Sequence, residues 1–118
     1  DVKEGTTGGV IADNTFTGDG MNKAESWVNV KGNGYLVTGN RGTESPRDGF
    51  QTFIAAEGWG QGNRFVANHA EVSGEGFGFR IDKDTIDSTV ITCDNVVIDA
   101  GAGFSNTTCD YKMVDGLF

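Results

Sequence analysis

Short apolar runs separated by polar corners recur along the whole chain at a nearly constant spacing. An aliphatic pair that is followed by a small residue and then by short polar residues occurs four times. Its second apolar residues are separated by 26, 29 and 25 residues, at Ile11, Val37, Val66 and Ile91. A period in the twenties with β-like runs rich in Gly, Asn and Asp is typical of a stacked β architecture.

A second phrase, Gly-Phe, alternates with the first. Phe50, Phe77 and Phe104 follow one another at equal steps of 27 residues. Residues 27–31 alternate apolar and polar side chains, which predicts a half-buried strand with Val28 and Val30 inward. Aligning the Gly-Phe phrases with this strand predicts a common inward file, with members from each coil: Phe50, Thr52, Phe77, Phe79 and Phe104. The same alignment places Arg80 in an outward file with Lys31 and Phe53.

The pattern excludes other repeat architectures. No segment keeps apolar residues at helical spacing, and the 19 glycines would weaken any helix interior. Leucine-rich repeats share the period but need a leucine framework, and only Leu36 and Leu117 occur. We therefore predict an all-β fold, a right-handed parallel β-helix of about four coils, as a single domain over residues 1–118. Residues 109–118 are predicted to form a C-terminal cap, and residues 70–75 and 82–88 polar connections between coils.

The motifs resemble a known group of proteins. The segments 49–52 (Gly-Phe-Gln-Thr), 58–60 (Gly-Trp-Gly) and 62–65 (Gly-Asn-Arg-Phe) are similar to the secreted right-handed parallel β-helix repeat proteins of the pectin-lyase-like superfamily. This resemblance implies the fold and a polysaccharide partner. It leaves the activity open, because such families include polysaccharide lyases, glycoside hydrolases and non-catalytic carbohydrate-binding modules.

Composition narrows the choice of partner. The formal charge of −8 and the pI near 4.4 disfavour nucleic acid and anionic membranes, which bind clustered Lys and Arg. No apolar run approaches the roughly 18 residues of a membrane span, and no signal-like segment opens the sequence. Pectinase-type members of the superfamily are much longer, so the chain is expected to be a compact module or part of a larger β-helix. Open coil ends would then pair with another subunit or an appended domain.

Two cysteines suggest an oxidising compartment. Cys93 and Cys109 enclose 15 residues near the C-terminal end, and a disulfide there would contribute about 3 kcal/mol by loop-closure arguments. The alternative is a pair of buried free thiols. Residues 106–108 (Asn-Thr-Thr) also form a glycosylation acceptor triplet. Both features favour a secreted, extracellular protein.

Asparagines end the aliphatic phrases at Asn14, Asn40, Asn68 and Asn95. Amide oxygens in register could bind a metal or a ligand. Stacked asparagines inside the turns of a β-helix are the favoured interpretation, since their side chains can satisfy turn backbone groups.

Ligands of the superfamily usually lie along one parallel sheet, where side chains of successive coils stack about 4.8 Å apart. Amides and charges there can bind sugar hydroxyls, and aromatic faces can pack on a pyranose ring. The predicted ladder of outward polar side chains on this sheet also includes Lys3, and Trp27 lies at its edge. The predicted binding residues are Asn29, Lys31, Gln51, Phe53, Trp59, Arg80 and Asp82. Trp59, between two glycines at a turn, is the strongest single candidate, with packing over a coil as the alternative. The basic residues suggest a uronate-containing glycan, or merely a charge ladder with neighbouring acids.

Catalytic alternatives stay open. A calcium-dependent lyase would need an acidic cluster and a basic residue, and Asp82, Asp84 and Asp87 lie close together beside Arg80. Glu57 would complete a carboxyl pair with Asp82 or Asp84 for a hydrolase. Arg80, Asp82 and Glu57 are therefore the predicted catalytic residues if the chain is an enzyme. No cofactor is predicted apart from this calcium option. The favoured function is non-catalytic polysaccharide binding, with a truncated lyase or hydrolase and a self-assembling structural β-helix as alternatives.

Overall fold

The computed structural model describes residues 1–21 and 23–110, which form a parallel β-helix of about four coils. The predicted fold class is confirmed: three parallel four-stranded sheets wind around one core. Sheet I contains β1 (Val10–Ala12), β4 (Leu36–Thr38), β7 (Arg64–Val66) and β10 (Val90–Ile91). Sheet II contains β2 (Thr15–Thr17), β5 (Arg41–Thr43), β8 (His69–Gly74) and β11 (Val96–Ala100). Sheet III contains β3 (Val28–Val30), β6 (Phe50–Thr52), β9 (Phe77–Arg80) and β12 (Gly103–Ser105).

The core is a column of aliphatic and aromatic side chains inside the coils. Phe50 and Phe79 stack with ring centroids 5.3 Å apart, and Phe65 meets Phe79 edge-on at 5.5 Å. All three rings are fully buried. Trp27 packs edge-on against Phe50 at 5.5 Å and donates its indole N–H to the carbonyl of Glu44. Large aromatic side chains bury much apolar area, so these rings supply a large part of the core.

The asparagines form the predicted ladder at the corner between sheets I and II. Backbone N–H groups of Asn14, Asn40 and Asn68 each donate to the side-chain oxygen of the next asparagine, at 2.9, 3.1 and 2.7 Å. The side-chain amide of each also donates to that same oxygen, at 3.1 Å in all three cases. The side-chain amides also donate to backbone carbonyls of the preceding coil. Asn40 donates to Ile11, Asn68 to Val37 and Asn95 to Phe65. These amides are therefore committed to the turns.

The last coil is closed by a disulfide between Cys93 and Cys109, whose Cα atoms lie 5.0 Å apart. The pairing predicted from the sequence is thus present. Asp110 continues the pairing of sheet I through a parallel bridge to Thr92. Most of the predicted cap, from residue 111 onward, lies outside the described residues. No helix within the described residues is long and apolar enough to span a membrane.

Of the two predicted polar connections, one is a strand and the other is a connection as predicted. Residues 70–75 were expected to form a polar loop, but β8 occupies most of this stretch, with Ala70 and Val72 fully buried. The polar residues between them alternate outward, so a strand of sheet II looked like a loop in sequence. Residues 82–88 form a polar connection as expected, most of it a 3₁₀ helix at Lys83–Ser88.

The register of sheet III also differs from the prediction. The equal 27-residue spacing suggested that Phe77 lies opposite Phe50, but Phe50 pairs with Phe79 and Phe77 pairs with Gly103. Phe77 is only partly buried, and Phe104 packs at the end of the column, 5.5 Å from Phe79. Phe77, predicted to face inward, lies outside the core and lines a surface pocket with Arg80, and the residue opposite it is Gly103 and not Phe104. The equal spacing of the Gly-Phe phrases could not reveal these displacements, because the corners between the strands set the register.

Candidate binding groove

The outer face of sheet III carries a file of polar side chains from three successive coils. Asn29 pairs with Gln51, and Gln51 pairs with Arg80, so the three side chains point outward one above the other. Arg80 therefore belongs to the file of Asn29 and Gln51, not to that of Lys31 and Phe53 as predicted. This change follows directly from the two-residue register shift.

A second set of side chains lies just beyond this file. The Lys31 ammonium lies 6.0 Å from the centroid of the Phe53 ring, and Phe53 is 45% exposed. Lys31 also forms an ion pair with Asp1 at 3.2 Å. An exposed aromatic ring next to a cation can pack against the apolar face of a sugar while the cation binds a nearby carboxylate.

Two adjoining pockets follow the outer face of sheet III, and we call them together the groove. The first has a volume of about 390 Å³ and the second about 330 Å³. Glu25 and Gln51 line both pockets and so form the boundary between them. The first pocket is lined further by Arg47, Thr52, Phe53, Arg80, Ile81, Asp82, Lys83 and Asn106. The second is lined further by Asp1, Lys23, Ala24, Ser26, Asn29 and Lys31.

Basic side chains are concentrated in the groove. Of the eight Lys and Arg residues that the structure describes, five line it, whereas only three of the 16 described Asp and Glu residues do. The basic residues are Lys23, Lys31, Arg47, Arg80 and Lys83, and the acidic ones are Asp1, Glu25 and Asp82. The groove therefore has an excess of positive charge on a protein whose net charge is −8. Such a cleft attracts anions by its local field.

The basic residues differ in how far the protein itself engages them. Arg47 contacts the Glu25 carboxylate at 3.4 Å and lies 3.7 Å from the buried carboxylate of Asp48. Arg80 and Lys83 form no ion pair with any residue that the structure describes. Both are exposed, so their charges face the groove or solvent. Lys23 is likewise exposed and without an ion pair among the described residues, so these three side chains are the groove cations most available to an anionic ligand.

Asp82 has a structural role at the floor of the first pocket. One carboxylate oxygen accepts the backbone N–H of Asp84 at 3.1 Å, which caps the 3₁₀ helix. The other accepts the backbone N–H of Ile54 at 3.0 Å and ties this coil to the one before it. Because both oxygens already accept hydrogen bonds, this carboxylate chiefly holds the pocket in shape.

The structure brings most of the predicted binding residues together. Six of the seven line the groove, namely Asn29, Lys31, Gln51, Phe53, Arg80 and Asp82. Trp59 lies outside both pockets, in the corner that follows β6, and its side chain is partly buried. Glu57, the predicted catalytic partner of Arg80 and Asp82, lies exposed in the same corner and outside the groove.

The predicted calcium ligands do not form a cluster. Within residues 1–21 and 23–110, no group of three His, Cys, Asp or Glu side chains is arranged to hold a metal ion. Both carboxylate oxygens of Asp82 accept backbone hydrogen bonds, and Asp84 and Asp87 lie on the 3₁₀ helix. A calcium requirement remains a prediction, to be tested by measuring binding with and without the ion.

Several groove residues were not predicted from the sequence. Lys23, Glu25 and Arg47 come from the loops that precede β3 and β6, and Asn106 follows β12. The backbone N–H of Asp48 donates to the carbonyl of Glu25 at 2.8 Å, which holds the two loops together. The available signal was charge in a loop just ahead of a sheet III strand. The alternation of apolar and polar residues does not predict which loops contact each other.

Comparisons with known proteins point to one solved structure. No protein-family model matches the chain, and no curated protein matches it. The chain is similar to the crystal structure of an alginate lyase from Paenibacillus sp. str. FPU-7, with a TM-score of 0.76 and 25% sequence identity. The similarity covers 92% of this chain and 38% of that lyase. The chain thus spans well under half the length of the protein it resembles.

Proposed function

We propose that this chain binds an acidic polysaccharide along the outer face of sheet III, without cleaving it. The observation that carries the proposal is the charge of the groove: among the described residues, five of eight basic side chains line it, against three of 16 acidic ones. Carboxylates of a uronate-containing glycan would pair with Arg80, Lys83 and Arg47. Arginine suits this role because its planar guanidinium binds carboxylates through two parallel hydrogen bonds.

The shape of the groove suits a polymer. Side chains of successive coils stack about 4.8 Å apart, so Asn29, Gln51 and Arg80 can contact consecutive parts of one extended chain. The exposed Phe53 ring offers an apolar surface for a pyranose face. Similarity to an alginate lyase supports a polysaccharide as the ligand, and alginate is itself a uronate polymer. The disulfide supports an extracellular setting, in which such polymers occur.

A polysaccharide lyase is the second candidate function, and the resemblance to an alginate lyase is the observation that favours it. Of the residues predicted for catalysis, Arg80 lines the groove, but the two acids do not favour a lyase or hydrolase. Asp82 already accepts two backbone N–H groups, and Glu57 lies outside the groove, so neither is well placed to act as a base on a bound sugar. Binding without cleavage therefore agrees better with the geometry.

One experiment tests the proposal and separates the candidates. Calorimetry would measure binding to alginate, polygalacturonate, xylan and β-glucan, with and without calcium, while the same samples are assayed for unsaturated and reducing ends. We expect binding to the two polyuronates, weak or no binding to neutral glycans, and no product. Formation of unsaturated ends would establish a lyase. Absence of binding to every polymer would overturn the proposal and favour a structural role.

A matched pair of variants locates the site. Arg80→Ala removes a groove cation and should weaken polyuronate binding about tenfold, because hydrogen bonds to charged groups contribute more than neutral ones. Arg41→Ala removes the same charge from β5 in sheet II, where Arg41 is exposed outside the groove. It should leave the affinity nearly unchanged. Equal losses in both variants would argue against binding in the groove.

A further inference from the structure

Two amide side chains in the groove have hydrogen-bonding capacity that the protein does not use. Gln51 is 3% exposed, yet its side-chain oxygen has no hydrogen-bond partner among the described residues. The side-chain oxygen of Asn29, one coil earlier in the same file, is also buried without a partner. Most buried polar groups in proteins are hydrogen-bonded, so two stacked exceptions at one site call for an explanation.

An ion pair marks the boundary between the two pockets, where Gln51 lies. Glu25 and Gln51 are the two residues common to both pockets. The Glu25 carboxylate contacts the Arg47 guanidinium at 3.4 Å, and both side chains are about half exposed. Glu25 thus places a carboxylate on a groove arginine, which is the contact that a uronate would make.

We propose that Glu25 is a built-in mimic of the ligand, which a uronate carboxylate replaces on Arg47, joining the two pockets and giving the Gln51 amide a sugar hydroxyl as its partner. This inference rests on the proposed function and extends it to selectivity. A positive groove alone would bind any polyanion. A groove that also satisfies Gln51 and Asn29 selects polyanions that carry hydroxyl groups, because a hydroxyl can donate to an amide oxygen and accept from an amide N–H.

The energetics favour the exchange. An exposed ion pair contributes little to stability, so the protein loses little when Glu25 turns away from Arg47. A buried amide without a partner carries a desolvation penalty in the free protein, and a ligand hydroxyl relieves it. Removing Glu25 should therefore strengthen binding, whereas removing the Gln51 amide should weaken binding only to ligands that offer hydroxyl groups.

The first test concerns Glu25. Glu25→Gln should bind alginate about threefold more tightly than the original protein, the size expected for an exposed ion pair. Asp84→Asn makes the same charge change at an exposed residue outside both pockets, and should change the affinity much less. In an Arg47→Gln background the effect of Glu25→Gln should vanish, because the mimic then has no partner. If Glu25→Gln still strengthens alginate binding in the Arg47→Gln background, the gain comes from the change in net charge, and the proposal that Glu25 mimics the ligand is wrong.

The second test concerns Gln51. Gln51→Met keeps the side chain's length and removes its amide, and it should weaken alginate binding about fivefold. Binding to sodium polyacrylate, a polyanion without hydroxyl groups, should not change. Asn29→Leu, which alters the other amide of the file, provides a second variant if Gln51→Met does not fold. Equal effects on both polymers, or none on either, would overturn the selectivity.

The outcomes separate this inference from the proposed function. If the original protein binds no polyuronate, the proposed function fails. If it binds alginate but Glu25→Gln and Gln51→Met behave like the Asp84→Asn control, the proposed function stands and the inference fails.

Discussion

At the scale of single residues, the asparagine ladder stabilises the coils through position-specific hydrogen bonds. Asn68 is 1% exposed, donates to Val37 and Asn95, and accepts two N–H groups from Asn40. Asn68→Ala leaves several buried groups without partners and should lower the free energy of unfolding by about 3 kcal/mol. Urea denaturation would measure this change.

Asn14 provides the matched control for that substitution. It stands at the exposed first position of the ladder, where water can replace its side-chain contacts. Asn14→Ala should cost less than about 1 kcal/mol. Similar losses for the two variants would mean that the ladder does not stabilise the fold through buried hydrogen bonds.

Gln51 should show the opposite effect on stability. Its side-chain oxygen is buried without a partner, so Gln51→Met should raise the free energy of unfolding by about 1 kcal/mol. Gln61 is the control: its amide donates to Asp84 at 3.3 Å and accepts from Ser88 at 2.6 Å. Gln61→Met should therefore destabilise by a similar amount. A loss of stability in Gln51→Met would indicate a structural role for the amide, and thermal unfolding of both variants would decide.

The residue-level predictions from sequence succeeded where the signal was local. Turn chemistry predicted the ladder of Asn40, Asn68 and Asn95 because an asparagine at a coil corner satisfies the backbone on either side of it. The position of Phe77 could not be predicted in the same way. Phe79 is fully buried in the core, whereas Phe77 lines a surface pocket, and the path of the preceding corner decides which of them stands opposite Phe50.

At the scale of elements, the strands with apolar faces were predicted and the mostly polar ones were not. β3 alternates clearly and β6 begins with a repeated Gly-Phe phrase, whereas β8 buries only Ala70 and Val72 between polar neighbours. The groove loops were missed for a related reason. Glu25 and Arg47 meet across a gap of 22 residues, and a contact between two loops has no periodic trace in the sequence.

The disulfide should stabilise the last coil without forming part of the groove. Reduction of Cys93–Cys109 frees a loop of 15 residues and should lower the free energy of unfolding by about 3 kcal/mol. Asn106 should keep its place in the first pocket, because it exchanges two hydrogen bonds of 2.7 Å with the backbone of Ile81. Urea denaturation and calorimetry with and without reductant would test both points. If the reduced protein stays folded but loses its affinity for alginate, the disulfide supports the groove as well as the stability of the last coil, contrary to this prediction.

At the scale of the whole molecule, net charge and groove charge oppose each other. The chain carries −8 overall, which repels a polyanion at long range, while the five basic residues of the groove attract it at short range. Salt screens exposed charges beyond about 8 Å at physiological ionic strength, so moderate salt removes the long-range repulsion before it removes direct contacts. The dependence of affinity on salt should therefore have two phases.

We expect alginate affinity to change little, or to rise slightly, as sodium chloride increases from very low concentration. It should then fall on the order of tenfold towards molar salt, where the screening length shrinks to about 3 Å and direct contacts with Arg80 and Lys83 weaken. Arg80→Ala should reduce the steepness of the second phase, whereas Arg41→Ala should affect only the first, because Arg41 lies outside the groove. Calorimetry over a salt series would record both. An affinity independent of salt in all three proteins would show that contacts such as those of the Phe53 ring, and not charge, dominate binding.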